Sequence, residues 1–160
     1  MKLAKNITLI IALMVLIIKA TPINGMFAMS TTPTIADRMI YSFCHATWMH
    51  TILNAWAILS IAFIYEPKVN RLVTAYVIAI LCPKILCPTP TVGLSVIIYA
   101  LLGMMSFRVV DKGFYQLCMA CALIAGCLFP FSNGSIHVYA YLCGFIVALF
   151  NTPIECFRTK

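Results

Sequence analysis

A serine, two histidines and an asparagine are the residues whose types and spacing could support covalent catalysis in this chain. Ser95 follows Gly93 at the start of an apolar segment. Such a Gly-x-Ser turn presents a hydroxyl beside helix N-terminal N–H groups that can hold an oxyanion. His137, in another apolar segment, has the chemistry of a base that activates a hydroxyl. His50 and Asn54 are spaced i, i+4 on one face of a third segment and could donate to the same oxyanion.

Plain structural interpretations of these residues stay open at this point. Many membrane helices begin with a serine, so a lone Gly-x-Ser is a weak signal. A histidine within a span can simply bridge two helices, although ionisable groups inside a membrane are candidates for function by default. The choice depends on whether the four side chains meet, and therefore on the elements that position them.

The composition indicates a membrane protein. Of its 160 residues, 63% are hydrophobic and 9% are charged, whereas a soluble domain carries about 25% charged residues. The formal charge of +7 is not gathered into a basic patch interleaved with aromatic residues, so we expect no nucleic-acid partner. We expect the lipid bilayer to be the partner of the basic loops.

Six apolar segments, separated by proline and charged residues, predict an all-α membrane protein with a single six-transmembrane-helix bundle over residues 1–160. Lipid requires each span to satisfy its own backbone hydrogen bonds, and proline ends such helices. The first segment is also similar to a signal peptide, but we expect it to be retained as a span. The predicted spans are 6–20, 46–65, 72–82, 95–107, 114–129 and 136–152.

The lysine and arginine residues predict the orientation. With the N-terminus in the cytoplasm, the inner loops hold eight of these cations and the outer loops hold three, as the positive-inside rule requires. The inner cations are Lys2, Lys5, Lys68, Arg71, Arg108, Lys112, Arg158 and Lys160. The outer cations are Lys19, Arg38 and Lys84.

The polar side chains fall at a similar depth in this orientation. Arg108 lies thirteen residues after Ser95, a distance of roughly 20 Å at about 1.5 Å per residue. In a hydrocarbon core about 30 Å thick, Ser95 would therefore lie about 10 Å below the outer surface. The same counting places His50, Asn54 and His137 roughly 18 to 24 Å above the inner face. All four residues are expected in the outer third of the membrane.

Small residues predict which spans approach each other. Ala140 and Gly144 belong to a stripe of small residues in the sixth span, and Gly103 leaves a gap in the fourth. Such residues allow two helices to pack with their backbones close together. This packing would bring His137 to Ser95.

Three segments, in this order, resemble the motifs of the rhomboid family of intramembrane serine proteases. Segment 45–54 (HATWMHTILN) is similar to the second-span motif of the family. Gly93-Leu-Ser95, with Tyr99 and Gly103, is similar to the nucleophile segment, and His137 with Gly144 is similar to the sixth-span motif. The resemblance covers nearly the whole chain after the first loop, and it is to the minimal six-span bacterial form.

The resemblance implies a role for each residue. Ser95 would be the nucleophile and His137 the general base and acid, with Tyr99 stacked on the histidine ring. His50, Asn54 and the Ser95 backbone N–H would form the oxyanion hole. Gly93, Gly103 and Gly144 would support this arrangement. The acidic residues Glu66, Asp111 and Glu155 are predicted at the inner face and Asp37 in an outer loop, so we expect a Ser-His dyad without a buried aspartate.

Two positions depart from the family pattern. The family usually has glycine after the serine, where this chain has Val96. We expect this side chain to crowd the substrate, so that Val96→Gly would raise kcat/KM. The family's first outer loop usually holds a Trp-Arg pair, and the nearest match here is Asp37-Arg38 in a shortened loop.

The eight cysteines raise the possibility of a metal or redox site. Cys118 and Cys121 form a Cys-x-x-Cys pair, but they lie in the middle of the fifth predicted span with no histidine near them. Cysteine is a common small apolar residue in packed interiors. We therefore expect no metal and no cofactor.

The expected function is a rhomboid-like serine endopeptidase that cleaves transmembrane segments of membrane proteins near their outer ends. The resemblance to the bacterial form implies a multi-pass protein of the bacterial inner membrane. One alternative is an inactive member of the fold that binds client helices. Another is a small six-span transporter in which His50, Asn54 and His137 line a polar path.

Overall fold

The computed structural model describes residues 2–129 and 132–151, and regular structure within them is helical apart from one isolated β-bridge. This confirms the all-α class. The described residues form the α-helices α1 (Lys2–Lys19), α2 (Ile35–Ile40), α3 (Trp48–Ile64), α4 (Val69–Ile80), α5 (Ser95–Met105), α6 (Lys112–Leu128) and α7 (Gly134–Asn151). Three short 3-10 helices occupy Pro22–Gly25, Tyr41–Phe43 and Lys84–Leu86.

Local sequence explains where these helices begin. Thr47 accepts a hydrogen bond from the His50 N–H at the start of α3, and Asp111 does the same for Phe114 at the start of α6. These side chains satisfy N–H groups that have no partner inside the helix. Helix α2, within the predicted first outer loop, was not predicted. It begins with a capping box between Thr34 and Asp37.

The apolar helices differ in whether they are long enough to cross a membrane. Among the described residues, α7 is long and apolar enough to cross a membrane alone. Residues Ile35–Phe43 and Trp48–Ile64 would give a second candidate if they were taken as one span, but they are bent by 82°. Helices α4, α5 and α6 are apolar but shorter.

Helix α5 lies at the centre of the bundle. Eight of its eleven residues are buried, and it packs against α3, α4 and α7. A Cβ added at Gly103 would overlap the Tyr141 carbonyl oxygen, and one added at Gly144 would overlap the Ala100 carbonyl oxygen. The predicted close packing of these two helices is therefore observed. Helix α6 is peripheral, with Met119 as its one buried residue.

Helix α1 packs against α3 through one face, which buries Ala4, Thr8, Ala12 and Val15. Lys5 forms an ion pair with Glu66 at one end of this contact. At the other end, the Lys19 ammonium donates to the His45 carbonyl oxygen at 2.9 Å. Helix α1 thereby contacts the residues that directly precede α3.

Candidate active site

The structure brings Ser95 and His137 into hydrogen-bond contact. Ser95 is the first residue of α5 and His137 lies in the first turn of α7, and the Ser95 Oγ is 2.9 Å from the His137 Nε2. Both side chains are half-buried. The Tyr99 ring, one turn along α5, stacks on the imidazole with centroids 4.5 Å apart and an interplanar angle of 21°. The imidazole is thus held in an orientation that suits proton transfer from the hydroxyl.

The other ring nitrogen of His137 has no carboxylate beside it. Its Nδ1 is buried and finds no hydrogen-bond partner among the described residues. A Cβ added at Gly126 of α6 would lie 3.4 Å from this nitrogen, so the position facing it carries no side chain. The described carboxylates are engaged elsewhere: Asp37 and Asp111 cap helices and Glu66 pairs with Lys5. Glu155 lies outside the described residues.

His50 and Asn54 of α3 face the turn that precedes Ser95. A Cβ added at Gly93 would lie 3.0 Å from the His50 Nε2 and 3.4 Å from the Asn54 Nδ2. Gly93 also has φ +132°, a conformation that side-chain-bearing residues rarely adopt. The Asn54 Nδ2 is buried without a hydrogen-bond partner in the described part of the chain. These two nitrogens are therefore placed to donate to a group bound at Ser95.

His45 is the first residue of segment 45–54, and the sequence alone predicts no role for it. In the structure it is completely buried, and its Nε2 accepts a hydrogen bond from the Leu94 N–H at 3.3 Å. Its Nδ1 accordingly carries the proton and donates to the Phe43 carbonyl oxygen at 3.2 Å. Burial, reinforced by the neighbouring His50 ring, lowers the pKa of His45 to about 4. The neutral ring therefore joins the segment before α3 to the residue before Ser95.

The loop before α5 is anchored along its length. Met29 and Thr91 exchange backbone hydrogen bonds of 2.9 and 2.8 Å, and the Gly93 N–H donates to the Tyr41 carbonyl oxygen at 3.1 Å. The Asn133 side chain, just before α7, donates to the Leu86 carbonyl oxygen at 2.8 Å. This asparagine links the loop that carries Ser95 to the helix that carries His137. No local pattern in the sequence could have identified it.

Five of the predicted site residues line one cavity of about 740 Å³, and the supporting glycines Gly93, Gly103 and Gly144 do not. The segment 88–92, the first two turns of α3 and the first turn of α7 contribute to its walls. A separate cavity of about 660 Å³, lined by residues such as Tyr65, Arg108 and Phe114, contains none of these residues. The lining of the first cavity includes His50, Asn54, Ser95, Tyr99 and His137.

Val96 does not occupy the position expected from the sequence. Its side chain is 0% exposed, belongs to the hydrophobic core and does not line the cavity. The expectation that it crowds the substrate is wrong, because α5 turns this side chain towards its neighbouring helices. We therefore withdraw the prediction that Val96→Gly raises kcat/KM.

Arg38 braces the first loop, although the tryptophan of the family pair is absent. Its guanidinium donates to the carbonyl oxygens of Ile80 and Cys82 at 3.1 and 2.9 Å. These carbonyl groups lie at the C-terminal end of α4, where a cation is favoured. Helix α2 is thereby attached to the end of α4.

Comparison with protein families gives one match, to the family described as Rhomboid domain, over residues 34–156. This is more than half of the chain and includes each residue of the cavity named above. Comparison with curated proteins and with solved structures gives no match.

Proposed function

Because the chain belongs to the rhomboid family, a family of membrane helical bundles that includes serine proteases, we propose that it is an intramembrane serine endopeptidase. The observation that carries the proposal is the 2.9 Å contact between the Ser95 Oγ and the His137 Nε2. A hydroxyl bonded to an imidazole nitrogen is the arrangement that activates a serine nucleophile.

The proposed reaction begins with attack of the Ser95 Oγ on the scissile carbonyl carbon while its proton passes to the His137 Nε2. The imidazolium then donates this proton to the leaving amine, which leaves an acyl-enzyme. Water attacks the ester, with His137 again taking and returning a proton. The free Nδ1 of His137 supports a dyad mechanism, since no described carboxylate contacts it.

The oxyanion of the tetrahedral intermediate would be held by three donors. The Ser95 backbone N–H is at the first position of α5 and has no acceptor within the helix. The Asn54 Nδ2 and the His50 Nε2 approach from α3. Donors fixed in position before the reaction stabilise developing charge without reorganisation, and this effect is often the largest in catalysis.

The proposed substrates are transmembrane segments of other membrane proteins, cut near the outer face. The cavity that holds Ser95 lies among apolar helices, and an extended peptide backbone has to leave its helix to reach the serine. The proposed cellular location is a membrane crossed several times by the chain, with the N-terminus in the cytoplasm and the Ser95 end of the bundle outside.

The first prediction tests this proposal with Ser95→Ala. Co-expression with a reporter that carries a cleavable transmembrane segment should give cleaved product with the parent chain and none with the variant, because only the variant lacks the nucleophile. A serine-directed fluorophosphonate probe should label the parent at Ser95 alone.

Ser60→Ala is the matched control for this prediction. Within the described part of the chain, the Ser60 hydroxyl bonds to the Trp56 carbonyl oxygen of its own helix alone, so cleavage and labelling should stay at the parent level. Cleavage at the parent rate by a folded Ser95→Ala protein would end the protease proposal. A parent chain that binds helices but is never labelled would favour an inactive client-binding member.

A further inference from the structure

Two buried cysteines flank the exposed turn that leads from α4 to the site loop. Cys82 and Cys87 stand on either side of the 3-10 helix Lys84–Leu86, and both are completely buried. The turn above them is open, with Ile85 83% exposed. The two thiol groups lie close enough to interact with each other electrostatically. They therefore meet beneath a surface turn of a few residues.

This turn is attached to both elements of the candidate dyad. The wall of the site cavity begins at Pro88, directly after Cys87, and continues to the segment that ends at Ser95. Asn133 directly precedes α7 and is four residues before His137. Its amide donates to the Leu86 carbonyl oxygen and to the Thr91 hydroxyl oxygen, the latter at 3.1 Å. A covalent bond between Cys82 and Cys87 would therefore restrict the movement of this cavity wall.

We propose that Cys82 and Cys87 form a disulfide by exchange with a disulfide donor. This disulfide restrains the loop that forms the wall of the site cavity. The cation distribution predicts this loop at the outer face, and disulfides persist on the outer sides of membranes. The inference concerns the state of two sulfur atoms and does not depend on the protease proposal.

The surroundings of the two thiols assign their order of reaction. The pKa of Cys87 is lowered, chiefly by the neighbouring Cys82 thiol, while burial opposes this shift. The Thr91 hydroxyl and the Arg38 guanidinium lower the pKa further. Cys87 is thus the thiolate that attacks first.

The exchange balances in two steps. The Cys87 thiol gives its proton to water, and the thiolate attacks one sulfur of the donor, forming a mixed disulfide and releasing one donor thiolate. Cys82 then passes its proton to that thiolate and attacks the Cys87 sulfur, which releases the second donor thiolate to take up a proton from water. Two protein thiols are oxidised to one disulfide, and the donor disulfide is reduced to two thiols.

Access to the buried thiols requires only a local opening. The turn is closed by the Leu86 N–H bond to Pro83 and the Cys87 N–H bond to Lys84, each 3.0 Å long. Opening it leaves the helices α4 and α5 in place, and such short exposed segments open with low free energy.

The sequence supplies a direct test, because Lys84 lies between the two cysteines. The full chain in detergent is incubated with oxidised glutathione, blocked with an alkylating reagent under denaturing conditions and digested with trypsin. Peptides 72–84 and 85–108 contain one cysteine each, Cys82 and Cys87. They should be found as one linked species that separates on reduction. The variant Cys118→Ser/Cys121→Ser, changed at the other close cysteine pair, should give the same linked species.

Single variants test the order of attack. In Cys82→Ser, Cys87 should keep the glutathione adduct, at a level at least 10-fold above that of Cys82 in Cys87→Ser. Circular dichroism of each sample checks that it is folded. The proposal is overturned if the folded parent chain gives no linked species, or links only after denaturation. It is also overturned if Cys82 is joined to the peptide that carries Cys143, and equal adduct levels would reject the assigned order.

Discussion

Asn54 presents an amide nitrogen to the site and has no partner for it among the described residues. This nitrogen therefore adds no hydrogen bond to another described residue in the unliganded fold, while it can donate to a developing oxyanion. We predict that Asn54→Ala lowers turnover of the reporter by roughly 10²-fold and leaves the melting temperature nearly unchanged. Turnover and thermal unfolding are measured on the same purified sample.

Asn151→Ala is the matched control for this change. Among the described residues, the Asn151 amide bonds to the Val147 carbonyl oxygen of its own helix alone, so its loss should alter neither turnover nor unfolding. An Asn54→Ala protein that fails to fold would instead assign Asn54 a structural role, and one that turns over normally would remove it from the oxyanion hole.

Val96 packs in the core, and this changes the expected effect of replacing it. Val96→Gly removes buried methyl groups and weakens the helix, so we predict a destabilisation of about 3 kcal/mol. Val73→Gly on α4, where the side chain is 55% exposed, should cost about 1 kcal/mol or less because only helix propensity is lost. Specific activity of the folded fraction should be unchanged in both. A faster Val96→Gly enzyme would mean that this side chain does reach the substrate.

The four residues predicted to act in catalysis line one cavity: His50, Asn54, Ser95 and His137. The sequence alone identifies them because their residue types are conspicuous: a serine that follows a glycine, and polar side chains within apolar segments. His45 and Asn133 could not be assigned in the same way. Each acts through a backbone group more than forty positions away, and such contacts are created only when the chain folds. Val96 was misplaced because the sequence shows which residue neighbours Ser95 but not which way its side chain points.

At the level of the helices, the close contact between α5 and α7 sets the distance from Ser95 to His137. An added Cβ at Gly103 would overlap backbone atoms of α7, and backbone cannot move aside as a side chain can. We predict that Gly103→Ala lowers the melting temperature and lowers turnover by 10-fold or more. Displacing a catalytic group by about 1 Å is enough for losses of this order. Both quantities are measured on protein in the same detergent.

Gly113→Ala provides the comparison, since the nearest atom to an added Cβ there is the Asp111 Oδ1 at an ordinary 3.7 Å. Alanine favours a helix over glycine by about 1 kcal/mol, so this variant should be as stable as the parent or more stable. Equal effects of the two substitutions would show that the α5–α7 approach does not limit the fold.

Helix positions followed from the sequence where apolar runs ended at proline or charge. All six predicted segments overlap a helix of the structure, and α5 ends at Met105 where 107 was expected. Helix α2 was missed because six residues are too few to show a helical period. Its capping box at Thr34 and Asp37 was the available signal. The 82° bend between Ile35–Phe43 and α3 lies beside His45, whose contact with the Leu94 N–H no local pattern predicts.

For the whole molecule, the distribution of cations predicts that the Ser95 end of the bundle faces outwards. Two exposed positions at opposite ends can test this orientation. Ile85, in the turn before the site loop, is 83% exposed, and Val110, in the loop before α6, is fully exposed. Each is replaced by cysteine in a variant whose native cysteines have been changed to serine or alanine, so that the new thiol alone can react.

We predict that a membrane-impermeant maleimide applied to intact cells labels the Ile85→Cys protein and leaves the Val110→Cys protein unlabelled. Permeabilised cells should label both, which controls for thiol reactivity. The reverse pattern would place Ser95 at the inner face, so that cleavage would release the inner part of a substrate and the Cys82–Cys87 pair would face a reducing compartment. The labelling pattern therefore answers two questions. It shows on which side of the membrane a substrate is cut, and whether the Cys82–Cys87 pair faces a compartment that supplies a disulfide donor.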